Sequence, residues 1–465
     1  MYTEMKLDTY KNIYFLGIGG IGMSALARWF NVNGYKVSGY DKTTTVLTKK
    51  LESEGIDVHY TDSLEAISPV LSINDTLVVY TPAIPKDSVE LNYFIAEKFV
   101  LLKRAEVLGL ITSKMFTIAV AGTHGKTTTS SMIAHLLKSA GQNCAAFLGG
   151  ITQNYNTNLL LNEGLENAVV VVEADEYDRS FLKLSPDIAV ITYMESDHLD
   201  IYENDEEFVK TFNDFVRKIK PGGVLYFRNL VESGLDKSHT VERQSFGAAS
   251  GDIHATHIEI KNGRFNFNAV GKDFEIKDIS LFVPGFHNIE NALAAVSVAK
   301  RLKISDDKIR EGLGSFKGVK RRFEYILQTE KIVLIDDYAH HPTEIEAFLR
   351  SVRAVHPGKN LTAIFQPHLF SRTRDFMEDF ATSLSLADQL VLLQIYPARE
   401  KPIEGISSQT LADKVKLNYK TVCTKETLVN TLSKIETDII VLIGAGDIDQ
   451  CIEPVKNFLI EKYAL

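Results

Sequence analysis

Cysteine, tryptophan and long apolar runs are all scarce in this chain of 465 residues, and each scarcity removes a class of explanation. The three cysteines, Cys144, Cys423 and Cys451, stand far apart and form no C-x-x-C pair, which excludes a disulfide framework and a cysteine-built zinc cluster. A reducing compartment fits that usage. No apolar run approaches the roughly 20 residues needed to span a bilayer, and the opening MYTEMKLDTYKN is too polar for a secretory signal. A soluble, cytoplasmic protein is therefore expected. Basic residues are in the minority, 51 Lys and Arg against 60 Asp and Glu, for a formal net charge of −9. That balance argues against nucleic acid or an anionic membrane surface as partner, and leaves small molecules.

The chain is longer than one hydrophobic core usually supports, so two or three domains are expected. Apolar β-rich runs alternate with helix-period stretches throughout, the pattern of parallel α/β sheets. Three such blocks follow one another. The first opens with NIYFLGIGG and closes near Glu106. The second runs from the strand FTIAVA through AVVVVEADEYD, DIAVITY and GGVLYF, and residues 240–280 read as short antiparallel strands inserted on its sheet. The third begins near RRFEYIL and holds KIVLIDD, NLTAIFQPH, DQLVLLQIYPA and DIIVLIGAGD. Domains of 1–106, 107–319 and 320–465 follow from these changes of pattern.

In FTIAVAGTHGKTTT, residues 116–129, a strand-like run breaks into a glycine-flanked turn carrying a lysine and hydroxyls, and then a helix begins. Backbone N–H groups of such a turn close on phosphate, Lys126 adds a cation, and the Thr127 hydroxyl can hold Mg²⁺. Gly122, Thr123, His124, Gly125 and Thr128 complete the candidate cradle for a nucleoside triphosphate. Its spelling departs from G-x-x-x-x-G-K-[ST], since Val120 occupies the usual first-glycine position.

Gly17, Gly19 and Gly22 spell G-x-G-x-x-G between a strand and a helix, and Asp41 ends the next strand 19 positions after Gly22. This is a nucleotide diphosphate fingerprint in which the acid can bind ribose hydroxyls. NAD and a nucleotide-sugar fit it equally, so an NAD-dependent oxidoreductase stays open on these residues alone. Two further strand ends are acidic: Glu173, Asp175, Glu176 and Asp178 after AVVVV, and Glu195, Asp197, His198 and Asp200 after DIAVITY. Oxygen donors and a histidine beside a triphosphate suit Mg²⁺, and Glu173 and His198 are the candidate ligands. Any one of these acids also serves as a solvated loop residue or a helix cap.

His287, Asn288 and Asn291 start a helix after a Pro-Gly turn, where asparagine can read an adenine edge or simply cap the helix. Arg321 and Arg322, at the junction to the third block, can clamp a transferring phosphate. Asp336, Asp337, His340 and His341 follow one strand of that block, and Gln366, His368 and Arg372 follow the next, a candidate binding face.

In this order along nearly the whole chain, FLGIGGIGMSALA, AGTHGKTTT, EADEYD, DHLDIY, GFHNIENALAA, FKGVKRRFE, DDYAHHPTEI, QPHLFSRT and GAGDI resemble the Mur ligase family, and within it the members that add L-alanine. The resemblance implies three α/β domains: a Rossmann-like N-terminal domain for the UDP part of the substrate, a P-loop-type central ATPase domain, and a Rossmann-like C-terminal domain for the amino acid. It implies an ATP- and Mg²⁺-dependent ligase of peptidoglycan synthesis joining L-alanine to the lactyl carboxylate of UDP-N-acetylmuramate, working as a monomer or weak homodimer. By the same resemblance Gly19, Gly20, Ile21 and Gly22 form the UDP-diphosphate loop. Lys126 and Thr127 meet ATP phosphate and metal, with Glu173 and His198 as metal ligands. Asn288 and Asn291 meet adenine, Arg322 and Asp337 reach nucleotide, and His341, His368 and Arg372 face the muramate and alanine end. Lys126, His198 and Arg322 are then the catalytic set. Tyr177 in EADEYD also suits the recycling members that add a whole tripeptide to the same UDP-sugar. Replacing Lys126 by alanine is expected to abolish ADP formation and leave UDP-sugar binding largely intact, as read by a coupled ADP assay and by calorimetry.

Overall fold

A computed structural model describes residues 7–161, 168–195, 204–398 and 400–465. The chain packs as two compact units, one of Met1–Ala255, Ala269–Ile276 and Glu290–Leu313, the other of Thr256–Asn268, Lys277–Ile289 and Gly314–Leu465.

The first unit begins with five strands, β1 (Asn12–Leu16), β2 (Lys36–Tyr40), β3 (Asp57–His59), β4 (Thr76–Tyr80) and β5 (Val100–Lys103). They form a parallel sheet in the order β3-β2-β1-β4-β5. Helices α1 (Ile21–Val32), α2 (Val46–Ser53), α3 (Val89–Ala96) and α4 (Arg104–Ser113) make the crossovers. Every residue of β1, NIYFL, is buried, as expected of a parallel strand covered on both faces.

A second sheet starts at β6 (Phe116–Ala121), which leads into α5 (Lys126–Ser139). Its later strands are β7 (Cys144–Thr152), β8 (Thr157–Leu161), β9 (Val169–Glu173), β10 (Ile188–Ile191), β11 (Val224–Arg228), β12 (Glu242–Gly247), β13 (Ile253–Lys261), β14 (Arg264–Gly271) and β15 (Phe274–Leu281). Their order is β15-β14-β13-β12-β11-β10-β6-β9-β7-β8. Where the sequence pattern reads residues 240–280 as antiparallel strands set on the sheet, β12 pairs in parallel with β11, and the start of β13 pairs in parallel with β12. The segment therefore extends the sheet itself.

The boundary read near Glu106 falls between two sheets that share one hydrophobic core, continuous from Ile13 to Leu235. The cause is local. Helix α1 carries Trp29, whose ring meets Phe147 of β7 at 6.5 Å, and Asn158 of β8, almost fully buried, donates through Nδ2 to Ile21 O at 2.6 Å and Ser24 Oγ at 3.0 Å. The β7–β8 hairpin thus holds the first turn of α1.

The second unit contains β16 (Glu324–Gln328), β17 (Val333–Asp337), β18 (Leu361–Phe365), β19 (Gln389–Leu393), β20 (Tyr419–Cys423) and β21 (Ile439–Ile443) in the order β16-β17-β21-β18-β19-β20. Only the edge strand β16 is antiparallel. Strands β17, β18 and β21 are buried along their whole length. Among the described residues no helix is long and apolar enough to cross a membrane.

On the outer face of the first sheet a polar cluster is buried among aromatic rings. Glu90, fully buried, accepts from Tyr14 Oη at 2.5 Å and lies 2.7 Å from His59 Nε2. Replacing Glu90 by alanine leaves the Tyr14 hydroxyl only its longer contact to His59 Nε2, at 3.3 Å, and deprives His59 of its own carboxylate partner, which costs about 1–3 kcal/mol. The first thermal transition is expected to fall by several degrees, and Glu90→Gln, which keeps one acceptor, to recover part of that loss.

Candidate active site

Both glycine loops of the first unit leave the C-terminal end of a parallel strand and feed a helix N-terminus, the place where open α/β sheets bind ligands. In the first loop Gly17 adopts φ +85°, a conformation that favours glycine. Asp41 closes this loop: Oδ2 accepts from the Gly19 N–H at 2.8 Å and Oδ1 from the Thr43 N–H at 3.0 Å. The carboxylate expected at a ribose thus also braces the loop backbone. Gly20 is the N-cap of α1 and supplies no side-chain cap, so the first-turn N–H groups of Ile21 and Gly22 face the loop without one.

In the second loop Gly125, with φ +81°, is the N-cap of α5. Thr123 and His124 are held from the neighbouring strand end. Thr192 Oγ1 donates to the His124 carbonyl at 2.5 Å, the Glu195 N–H donates to Thr123 Oγ1 at 3.3 Å, and His124 Nε2 lies 3.3 Å from Glu195. Gly122 packs so close to Thr192 and Tyr193 that a side chain there would overlap both.

Lys126 and Thr127, the first residues of α5, meet the end of β9. Lys126 Nζ donates to Glu176 at 2.7 and 2.8 Å, with Glu176 wholly buried, and Thr127 Oγ1 donates to Glu173 at 2.9 Å. Burial opposes the charge on Lys126, but Glu176, Asp175 and Glu173 outweigh it and raise the ammonium pKa above the usual lysine value. The second oxygen of Glu173 accepts from the Gly149 N–H at 3.0 Å, so β7 also positions this acid. Asn291, nearly buried, accepts from Thr129 Oγ1 at 3.0 Å beneath the loop. Thr128 is buried beside it. His198 lies outside the described residues.

Gly285 turns the chain into the helix Phe286–Arg301, with His287 packed over that glycine and Asn288 Nδ2 donating to the Pro284 carbonyl at 2.7 Å. Arg322 lies between two non-glycine residues of left-handed backbone, Arg321 at φ +59° and Phe323 at φ +48°. Such strain persists only where surrounding contacts enforce it. The contacts here are strong. Asp337 accepts from the Phe323 N–H at 2.7 Å and the Ala339 N–H at 2.8 Å, and Arg321 donates to the Gly444 carbonyl at 2.6 Å. Both guanidinium groups lie over the Tyr338 ring, at 5.1 and 5.0 Å.

Asp336 is completely buried, with Arg321 Nε at 3.3 Å. Burial pushes its carboxyl up to about 7 against the pull of that guanidinium, and Asp337 up to about 6 against Arg322 and its two N–H donors. His340 accompanies the predicted trio of His341, His368 and Arg372. Its ring meets His368 at 6.2 Å, and burial holds it near pKa 4, below the usual imidazole value. His368 stacks on Tyr396 at 5.6 Å, and burial with the Arg372 charge lowers its pKa too. His341, by contrast, packs edge-on against Phe376 at 4.7 Å.

Sequence reasoning named Glu176 and Asp336 only as acids among several at strand ends and passed over Asn158. Glu176 was within reach, being three residues beyond Glu173 at the same strand end. Asn158 carries no local signal.

Three family models match in chain order: the Mur ligase family catalytic domain over residues 12–115, the Mur ligase middle domain over 120–299, and the Mur ligase glutamate ligase domain over 321–446. The chain belongs to the Mur ligase family. This Mur ligase is 51% identical over 463 residues to the UDP-N-acetylmuramate–L-alanine ligase of Cytophaga hutchinsonii, covering 99% of each chain. It is 46% identical over 457 residues to the protein of the same name from Parabacteroides distasonis, covering 98% of each. Among solved structures it resembles the UDP-N-acetylmuramate–alanine ligase MurC of Thermotoga maritima, with a TM-score of 0.81 and 28% identity over 97% of this chain and 99% of that one. The murein peptide ligase of Psychrobacter arcticus shares the fold at a TM-score of 0.71 and 23% identity.

Because the folded-state pKa of Asp336 lies near 7, above the ordinary carboxylate value, the folded Mur ligase keeps this proton where the unfolded chain has lost it. Its contribution to stability therefore falls as pH rises from about 4 to about 7. Asp336→Asn, which cannot ionise, is expected to gain about 2 kcal/mol relative to the parent between about pH 5 and about pH 8, measured by urea unfolding at both values.

Proposed function

We propose that this chain is an ATP-dependent ligase that joins L-alanine to the lactyl carboxylate of UDP-N-acetylmuramate, a step of peptidoglycan precursor synthesis. The observation that carries the reading is the 51% identity, over 99% of both chains, to a ligase named for that reaction. The geometry supports it, since a diphosphate-type loop and a triphosphate-type loop belong to one compact unit. An oxidoreductase reading of Gly17 to Gly22 leaves the second loop without a purpose.

In this reading Gly17, Gly19, Gly20, Ile21 and Gly22 receive the UDP diphosphate, and Asp41 holds their loop in shape. Gly122, Thr123, His124, Gly125, Lys126, Thr127 and Thr128 receive the ATP phosphates. Asn291 supports the loop from below, and His287 and Asn288 line the adenine side. Thr127 and Glu173 are oxygen donors 2.9 Å apart, a set that suits Mg²⁺, and His198 is the third proposed ligand. Bound there, Mg²⁺ would neutralise phosphate charge. Lys126 exchanges its Glu176 partner for phosphate oxygens and stabilises the charge that develops on the transferring phosphoryl group. The substrate carboxylate attacks the γ-phosphorus, giving an acyl phosphate and ADP. The alanine amine then attacks the acyl carbon and phosphate leaves. Arg322 and Asp337 are assigned to nucleotide, and His341, His368 and Arg372 to the muramate and alanine end. The domain divisions at 106 and 319 are retained as functional boundaries, and the cytoplasm, where ATP and UDP-sugars are available, as the compartment.

Incubation with UDP-N-acetylmuramate, ATP, Mg²⁺ and single amino acids should release phosphate and yield the L-alanyl product by mass. Product with a tripeptide but none with alanine would overturn the assignment.

A further inference from the structure

Arg228, the last residue of β11, and Glu290, in the helix Phe286–Arg301, form an ion pair that the chemistry above leaves unused. Their side chains are each 12% exposed, and Arg228 Nη2 lies 2.8 and 3.0 Å from the two carboxylate oxygens. A buried pair of this kind is often no more stable than apolar side chains of the same size. This one also leaves Arg228 Nε buried with no hydrogen-bond acceptor among the described residues, which adds a cost. Stability does not account for it.

What the pair holds is Tyr193, two residues past the end of β10. The guanidinium lies 3.8 Å from the centre of the tyrosine ring, close enough for a strong cation–π contact, and the phenol Oη donates to Glu290 at 3.3 Å. Tyr193 is thus clamped from β11 and from the helix at once.

The same tyrosine carries three positions of the triphosphate-type loop. Its carbonyl accepts from the Thr123 N–H at 3.1 Å, its backbone N and O would stand 2.7 and 3.0 Å from a Cβ on Gly122, and its ring meets the His124 ring edge-on at 5.7 Å. Beside Glu290, Asn291 supports the next position, since its Oδ1 would stand 2.9 Å from a Cβ on Gly125. A phosphate cradle works only while its N–H groups converge and its carbonyls turn away, and the His124 carbonyl is turned onto Thr192, the chain neighbour of Tyr193. All of these residues belong to one compact unit.

We propose that Tyr193, Arg228 and Glu290 are positioning residues for phosphoryl transfer: the clamped ring fixes the Gly122–His124 stretch, and with it the placement of the ATP phosphates, without touching nucleotide. The inference rests on the reading of Gly122 to Thr128 as the ATP loop.

The test is steady-state kinetics of the full chain by phosphate release, with ATP and UDP-N-acetylmuramate varied in turn, beside thermal melting. Arg228→Met combined with Glu290→Leu exchanges the ion pair for apolar side chains of similar size and should keep the melting temperature close to that of the parent. Its KM for ATP should nevertheless rise and its kcat fall, lowering kcat/KM for ATP about 10- to 100-fold, the size expected for a misplacement on the order of 1 Å, with the KM for UDP-N-acetylmuramate within about twofold of the parent. Arg228→Lys keeps the charge and loses the planar group over the ring, so its kcat/KM for ATP should fall between the two. Loss of folded enzyme alone would lower the melting temperature and kcat with both KM values unchanged, and that result would overturn the inference, as would a parental kcat/KM for ATP in the double variant. If the double variant does not fold, Arg228→Lys decides: an unchanged kcat/KM for ATP there would overturn the role of the clamp. A parent chain that turns over no ATP would instead overturn the reading of the loop itself, and this role with it.

Discussion

The buried ion pair between Lys126 and Glu176 is the contact on which the geometry of the first unit turns. Glu176 is wholly buried, and the lysine side chain is only 12% exposed. Leaving either charge alone in such a place costs about 3–5 kcal/mol, so β9 and the start of α5 are bound to one arrangement. Thr127, the next residue of α5, and Glu173, the last residue of β9, add a second link, and Gly149 extends it to β7. The loop proposed to take the ATP phosphates thus has its shape without a ligand. Its cation stays charged throughout the ordinary pH range, because the surrounding carboxylates raise its pKa in spite of burial. Phosphate oxygens can replace Glu176 at the ammonium without creating a charge that was absent before.

From β7 the same hairpin reaches the other loop. Asn158 and Arg28 connect α1 to β8, and Trp29 packs on Phe147, so the helix carrying the diphosphate loop shares a core with the sheet carrying the triphosphate loop. Two proposed nucleotide sites on one continuous core differ physically from two sites on freely hinged domains, because close packing transmits small displacements. The second unit uses another device. Its strained turn at Arg321 to Phe323 is held by Asp337 and by the Gly444 carbonyl, joining the ends of β17 and β21. That joining also explains why Asp336 and Asp337 ionise reluctantly: they serve as buried struts behind the arginines.

Much of this was legible in the sequence because it is local. The strand–glycine–helix order of NIYFLGIGGIG and of FTIAVAGTHGKTTT follows from short-range sterics and from the phosphate affinity of helix starts, and both loops fall where that order puts them. The alternation of apolar strands with helices foretold three mainly parallel sheets. The antiparallel reading of residues 240–280 fails at β12 and the start of β13, which pair in parallel, because polar, half-exposed strands carry no signal of their pairing direction, which is a property of the neighbour they find; β13, β14 and β15, joined by two-residue turns, keep to it.

The sequence by itself therefore determined the elements, the two glycine loops, the acids at the strand ends and the family. Only the tertiary structure decided what each charged side chain does. Asp41 became a loop brace, Glu176 the partner of Lys126, Asn158 the clamp on α1, and Arg228 the cation over the Tyr193 ring. The physical reason is range. Backbone conformation depends on neighbours along the chain, whereas the state of a charge depends on burial and on partners that are, for Lys126 and Glu176, 50 residues away.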